Sequence, residues 1–165
     1  MSKKDETKNK LLFELIKNAR RSDRDLAKVM KISQPTVTRK RTILEREGLI
    51  REYTVIPDLE KMGYQIMALT FLSFTTPPKS EVLERAREWT DKQPSIIFAA
   101  DGTGISMSSV MLSVHRDYAS YSRLLTKLKE DWQPDLKDAQ SFIVCVNRPE
   151  LLVKQFSFCY LGSKE

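Results

Sequence analysis

Ser22–Ile50 reads SDRDLAKVMKISQPTVTRKRTILEREGLI, and its punctuation predicts two helices around a tight turn. Ser22 is placed to cap the first helix, with Asp25 completing an S-x-x-D box. Leu26, Ala27, Val29 and Met30 supply its apolar stripe, and Lys31-Ile32 makes the turn. Ser33 suits the N-cap of the second helix. Pro35 falls in its first turn, where a missing N–H costs nothing. The helix is expected to run to about Glu47, with Gly48 in the left-handed position that ends it. A short helix, a tight turn and a longer polar helix describe a helix-turn-helix, whose second helix enters the major groove of DNA.

The second helix carries its own signature. With Val37 inward, Leu44 follows at i+7 on the same face. Pro35, Thr38, Arg39, Thr42 and Arg46 fall opposite, and Gln34 and Thr36 sit near the N-terminal tip. Thr is a mediocre helix former, so Thr36, Thr38 and Thr42 on one helix point to a surface selected for contact. Hydroxyls, Gln and Arg read base edges and hold phosphates. The expected DNA-binding set is Ser33, Gln34, Thr36, Thr38, Arg39, Lys40, Thr42 and Arg46, with Arg51 just beyond. A solvated basic helix in another small helical domain is the bland alternative.

From Ser33 to Ile50 the pattern S-x-x-T-V-x-x-K-x-x-x-L-E-x-x-G-L-I resembles the recognition helix of the Lrp/AsnC (feast/famine) transcription regulators. Upstream, N-A-R-x-S-x-x-D-L-A from Asn18 to Ala27 is similar to the same family's approach to that helix. Downstream, Y-T-V-I-P-D-L-E-K-M-G-Y from Tyr53 to Tyr64 resembles its inter-domain linker. The family usually has an apolar residue where Arg41 stands and a basic one where Ile43 stands. Either Arg41 lays its stem along the core with its head outward, or the helix is rotated.

Charge is distributed as that reading requires. The 165 residues carry 28 Lys+Arg against 22 Asp+Glu, net +6. Residues 1–57 hold 15 basic and 8 acidic side chains, net +7, and the remainder 13 and 14, net −1. The whole excess lies on the half expected to meet a polyanion. Cys145 and Cys159 make neither a disulfide framework nor a zinc site and are expected to be buried free thiols. No apolar run of 18 residues and no signal-peptide pattern is present, so a cytoplasmic protein is expected.

In chain order, Met1–Glu6 is expected to fray. Residues 8–19 should form a first helix with Leu11, Leu12, Leu15 and Ile16 on one face. Residues 50–56 should form a wing strand bearing Arg51, and 57–62 a short linker helix closed by Gly63. The expected domains are a winged helix-turn-helix over 1–57, a linker over 58–63, and an α+β unit over 64–165. Within that unit the spacing predicts strands at 66–74, 95–100, 108–114 and 139–146. One helix is capped by Ser80 after a 75–79 loop with Pro77-Pro78. It carries Val82, Leu83, Ala86 and Trp89. A second is opened by Asp117 and carries Tyr121, Leu124, Leu125, Leu128 and Trp132. The order βαββαβ is a ferredoxin-like sandwich, which is also the order of the Lrp/AsnC effector-binding domain. Phe156, Phe158 and Tyr160 alternate over 155–161 and predict an extra tail strand, too apolar to stay bare on a monomer.

The resemblance implies a transcription regulator that binds palindromic operators as a homodimer or larger assembly. It also implies a small effector, often an amino acid, near the loop between the second and third strands. Asp101, Gly102, Thr103, Gly104 and Ser106 are the candidates there. Glycine N–H groups are suited to a carboxylate, although an ordinary hairpin turn would also use glycines for positive φ. The family usually has Asp three residues after a Gly, whereas Asp101 precedes Gly102. Siroheme decarboxylases share the two-domain architecture. The single histidine, His115, reads as a solvated or capping residue, and no catalytic triad, metal spacing or phosphate loop is present. No catalytic residue, metal or cofactor is therefore expected. The alternatives are an enzyme of that decarboxylase type, or an effector sensor whose DNA-binding half is vestigial.

Overall fold

A computed structural model describes residues 3–75 and 80–163. They form two compact units, one of the described residues up to 56 together with those from 154 onward, the other of those between 57 and 153.

In the first unit, helices α1 (Lys3–Lys17), α2 (Asp23–Met30) and α3 (Gln34–Arg46) enclose one core. Leu11, Leu15, Leu26, Ala27, Met30, Val37 and Leu44 are buried in it, with Leu12, Ile32 and Ile50 packed alongside. The helix starts earlier than expected, so residues 3–6 are helical. Val29, expected in the stripe, is half exposed. Ser22 caps α2 by accepting from the Asp25 N–H at 3.2 Å. Its hydroxyl donates to the Asp25 carboxylate at 2.6 Å, so the return contact goes side chain to side chain. Lys31 closes α2 in the left-handed region at φ +54°. Ser33 has the extended N-cap conformation without a cap bond. Its hydroxyl pairs with that of Thr36 at 2.7 Å. Gly48, at φ +73°, turns the chain after α3, and the Leu49 N–H bonds back to the Leu44 carbonyl at 2.9 Å.

Residues 51–58 form no strand. A strand needs a ladder partner for its N–H and C=O groups, and none lies beside this segment among the described residues. The linker helix is likewise reduced to hydrogen-bonded turns over 59–63. Gly63, at φ +81°, closes them as expected.

The second unit is a four-stranded antiparallel sheet, β1 (Ile66–Phe74), β2 (Ile96–Gly104), β3 (Met107–His115) and β4 (Leu136–Cys145), in the order β2-β3-β1-β4. Helices α4 (Ser80–Asp91) and α5 (Tyr118–Trp132) complete the expected βαββαβ order. The Ser80 cap and the Pro77-Pro78 loop lie outside the described residues. Asp117 and Ser120 form a reciprocal capping box on α5. Leu72, Met111, Leu124, Leu128 and Trp132 make the main core, with Trp89 and Phe74 edge-on to Trp132. Ile66, Ala68 and Tyr121 make a smaller core beside it.

Three expectations fail here. His115 is buried rather than solvated, 2.9 Å from the Ser113 hydroxyl and edge-on to Tyr121. Its ring faces the helix layer because Ile66, opposite it in the register, does so too. Cys145 is exposed, and Cys159 is half-buried. Cys145 ends an edge strand, where no neighbour covers it. The tail forms no strand: Phe158–Ser163 is a 3-10 helix that packs on α1 in the first unit.

Candidate DNA-binding surface and effector hairpin

A 3.6-residue period places Val37, Lys40 and Leu44 on the inward side of α3, and all three are buried. Gln34, Pro35, Thr38, Arg39, Thr42 and Arg46 are exposed on the other side, with Ser33 exposed at the tip and Thr36 half-buried. The first turn of α3 has no acidic residue. Neither Arg39 nor Arg46 forms an ion pair among the described residues. Arg51 is exposed in the irregular segment, not on a wing strand.

Lys40 departs from the expectation. It is only 9% exposed, because it sits three residues after Val37 and four before Leu44. Its stem lies beneath the helix, not along the exposed stripe. Arg24, Lys28 and Lys31 on α2 and the turn were not singled out in sequence, yet all three are exposed. The charge count of residues 1–57 held that signal without assigning it to side chains.

Arg41 is neither a bare snorkel nor evidence of a rotated helix. Its Nη2 lies 2.8 Å from Asp23 Oδ1, each side chain being 20% exposed. The same nitrogen donates to the Arg21 carbonyl at 3.3 Å. Its guanidinium stands 6.0 Å from the Tyr53 ring centroid. The Tyr53 hydroxyl donates to Glu45 at 2.8 Å. Burial and the Glu45 bond push the Tyr53 phenol above its ordinary pKa. Asp23 opens α2, where negative charge is favoured. A polar cluster thus joins α2, α3 and the segment after α3 where an apolar contact was expected.

The hairpin between β2 and β3 is tighter than the sequence suggested. Strand β2 runs through Gly104, and Gly104 pairs with Met107 across a two-residue turn. Positive φ falls on Ile105 (+46°) and Ser106 (+61°), not on Gly102 or Gly104. The turn has the signs of a type I′ hairpin without its usual glycine. Asp101, Gly102, Thr103, Gly104 and Ser106 are all exposed. The Asp101 carboxylate accepts from the Ser109 hydroxyl at 2.8 Å. The structure brings these residues together at an exposed hairpin end.

Among the described residues, both helices of the unit lie on one face of the sheet and neither covers the other. Ile66, Ala68 and Leu72 pack under the helices, so Met67, Leu69 and Phe71 point the other way. Directly across from Leu69 lie Leu112 and Phe142. Phe142 is 67% exposed. Phe98, opposite Leu112, is also exposed.

These features define a protein with a helix-turn-helix unit and a ferredoxin-like unit. Residues 4–51 match the winged helix-turn-helix DNA-binding family. An HTH-type transcriptional regulator LrpA from Pyrococcus abyssi is 31% identical over 83 residues, covering 50% of this chain and 59% of the relative. The chain spans only a little over half the length of the curated relatives it matches. An AsnC family transcriptional regulator from Agrobacterium tumefaciens superposes with a TM-score of 0.76 at 18% identity, covering 95% of this chain and 94% of that one. A Neisseria meningitidis regulator in complex with L-Met superposes with a TM-score of 0.75 at 19% identity, covering 95% and 94%. The likeness to Lrp-type regulators extends over about half of this chain in sequence, and the fold of the chain is that of the AsnC-type structure. Among the described residues no helix is long and apolar enough to cross a membrane.

Proposed function

We propose that this protein is a sequence-specific transcription regulator that reads double-stranded DNA with the exposed face of α3. The observation that carries the reading is the stripe of Gln34, Thr38, Arg39, Thr42 and Arg46, exposed on a helix-turn-helix whose neighbouring helix adds Arg24 and Lys28. Such a stripe combines base-reading groups with phosphate-binding ones. Ser33 and Thr36 at the helix tip and Arg51 beyond it extend the surface. Lys40 acts from below as a packing stem. A DNA target accords with the cytoplasmic location expected from the sequence, and the relatives' description as regulators favours binding over catalysis.

The working form is a homodimer joined through the open sheet face. Leu69, Leu112, Phe98 and Phe142 form a patch of the kind a soluble monomer rarely leaves bare. A second copy of the same face would cover it with like chemistry. Two recognition helices on one duplex then require a palindromic site, with half-site centres about 10 bp apart or a multiple of that. Selection of bound duplexes from a random pool tests the proposal. Enrichment of a palindrome with that spacing supports it, and no enrichment at low salt refutes it.

An amino-acid effector at the β2–β3 hairpin is the second part of the reading. The L-Met complex of the Neisseria neighbour favours it. In this chain the Asp101–Ser106 hairpin would offer backbone N–H groups to the carboxylate. A Cβ at Gly102 or Gly104 meets nothing within 4 Å, so Gly102→Val and Gly104→Val should fold. Loss of an amino-acid-induced melting shift in both variants supports this site, and an unchanged shift places the ligand elsewhere.

A further inference from the structure

We infer that the Asp23–Arg41 pair fixes the hydrogen-bonding polarity of Thr38, so that α3 selects a base carrying an amino donor at the position Thr38 meets. The inference rests on the DNA-reading proposal above and names one specificity determinant within it.

The geometry divides the Asp23 carboxylate between two tasks. Oδ1 receives Arg41 Nη2 at 2.8 Å. Oδ2 receives the Thr38 hydroxyl at 2.6 Å. A carboxylate paired with a guanidinium is an acceptor only, so the single hydroxyl hydrogen of Thr38 is committed to it. The Gln34 carbonyl, at 3.2 Å from the same oxygen, is the longer and weaker alternative. What Thr38 presents outward is then lone pairs and a methyl group. In the major groove, adenine N6 and cytosine N4 donate, whereas guanine O6 and N7 and thymine O4 accept. A hydroxyl held as an acceptor therefore favours adenine or cytosine on the strand it faces. A freely rotating threonine hydroxyl would serve either kind.

Arg41 is the positioning residue in this arrangement. It touches no exposed part of the stripe, yet it holds Asp23 and is itself anchored on the Arg21 carbonyl. Four residues after Val37 and three before Leu44, it stands where an apolar residue would pack, so the charge there gains a purpose beyond packing.

The test is base-preference profiling of the full chain by selection from a random duplex pool, with a melting curve for each variant. The wild type should prefer adenine or cytosine at one position of each half-site. Thr38→Val should flatten that position alone, by about tenfold, and Thr38→Ser should keep it. Asp23→Ala leaves the hydroxyl only the longer Gln34 carbonyl contact, which a base acceptor can displace, and should admit guanine or thymine there. Arg41→Met should shift the profile the same way, and Arg41→Lys should restore it in part. None of these changes should alter the salt dependence, because none removes a phosphate contact. A Thr38-dependent position that prefers guanine or thymine in the wild type overturns the inference. So does a folded Asp23→Ala protein with the wild-type profile, or a uniform loss across all positions. If Asp23→Ala fails to fold, Thr38→Val against Thr38→Ser still decides the wild-type preference. A wild type that enriches no sequence overturns the DNA-reading proposal and this inference with it.

Discussion

Leu44→Ala separates the two units energetically. Leu44 is fully buried between α3 and the other two helices of the first unit. Its truncation removes three buried carbons and leaves a cavity, at a cost of about 2–5 kcal/mol. A unit of this size carries roughly 3–10 kcal/mol of stability in all. The variant should therefore hold the first unit near or past its unfolding midpoint at ordinary temperatures. The second unit has cores of its own around Met111, Leu128 and Trp132, none of which Leu44 joins. Both tryptophans, Trp89 and Trp132, belong to that second unit. Tryptophan fluorescence thus reports it alone, while far-ultraviolet dichroism reports both. Leu44→Ala should lower the dichroic melting temperature of the helical component and abolish DNA binding, with the fluorescence transition unmoved. A fluorescence transition that falls together with the dichroic one would refute the separation of the cores.

Three further outcomes follow from particular residues. Phe142→Glu places a charge opposite Leu69 on the open sheet face and should convert the proposed dimer to monomers by sedimentation velocity, whereas an unchanged mass would move the interface elsewhere. His115 has its pKa lowered by burial, with Asp117 opposing, so the folded state holds it neutral. Its contribution to stability is present above the unfolded value of about 6.5 and is lost as pH falls from there through the lowered folded pKa. The urea midpoint should thus fall more between pH 7 and 5 for the wild type than for His115→Gln, and equal falls would contradict the assignment. Gly48→Ala should cost about 1 kcal/mol from the left-handed backbone alone, since a Cβ there meets nothing within 4 Å. A chemical-denaturation curve unchanged by that substitution would show that the turn has another conformation.

Much of this architecture was legible because local chemistry and long-range packing agree. The helix-turn-helix carried its own punctuation in Ser22, Ser33, Pro35 and Gly48. Strand β1 was legible from its apolar, β-favouring composition, and helix α5 from its helical spacing. The misreadings share a cause: each depended on a neighbour that sequence does not supply. Residues 50–56 have strand composition but no ladder partner among the described residues. Phe156, Phe158 and Tyr160 alternate like a strand, yet the tail coils into a 3-10 helix beside α1. Gly102 and Gly104 suggested the turn, while the positive φ angles fell on Ile105 and Ser106. At the candidate site the exposed stripe followed from the helical period. The burial of Lys40 followed from the same period read one residue further. The role of Arg41 did not, because Asp23 meets it only after α2 and α3 have packed.

Whether the exposed face of α3 binds DNA is decided by a salt titration of the full chain. Anisotropy of a labelled duplex, selected from the random pool, would be followed at increasing salt for the wild type and for Arg39→Ala/Arg46→Ala. The wild type should bind tightly, with affinity falling linearly in log–log form. If both arginines contact phosphate, the double variant should bind more weakly, with a slope shallower by about 1.8. If one of them reads a base instead, the slope should lose about 0.9 and discrimination at one position should fall. Equal affinity and equal slope for the two proteins, or no binding to any duplex at low salt, would contradict DNA binding by this face of α3.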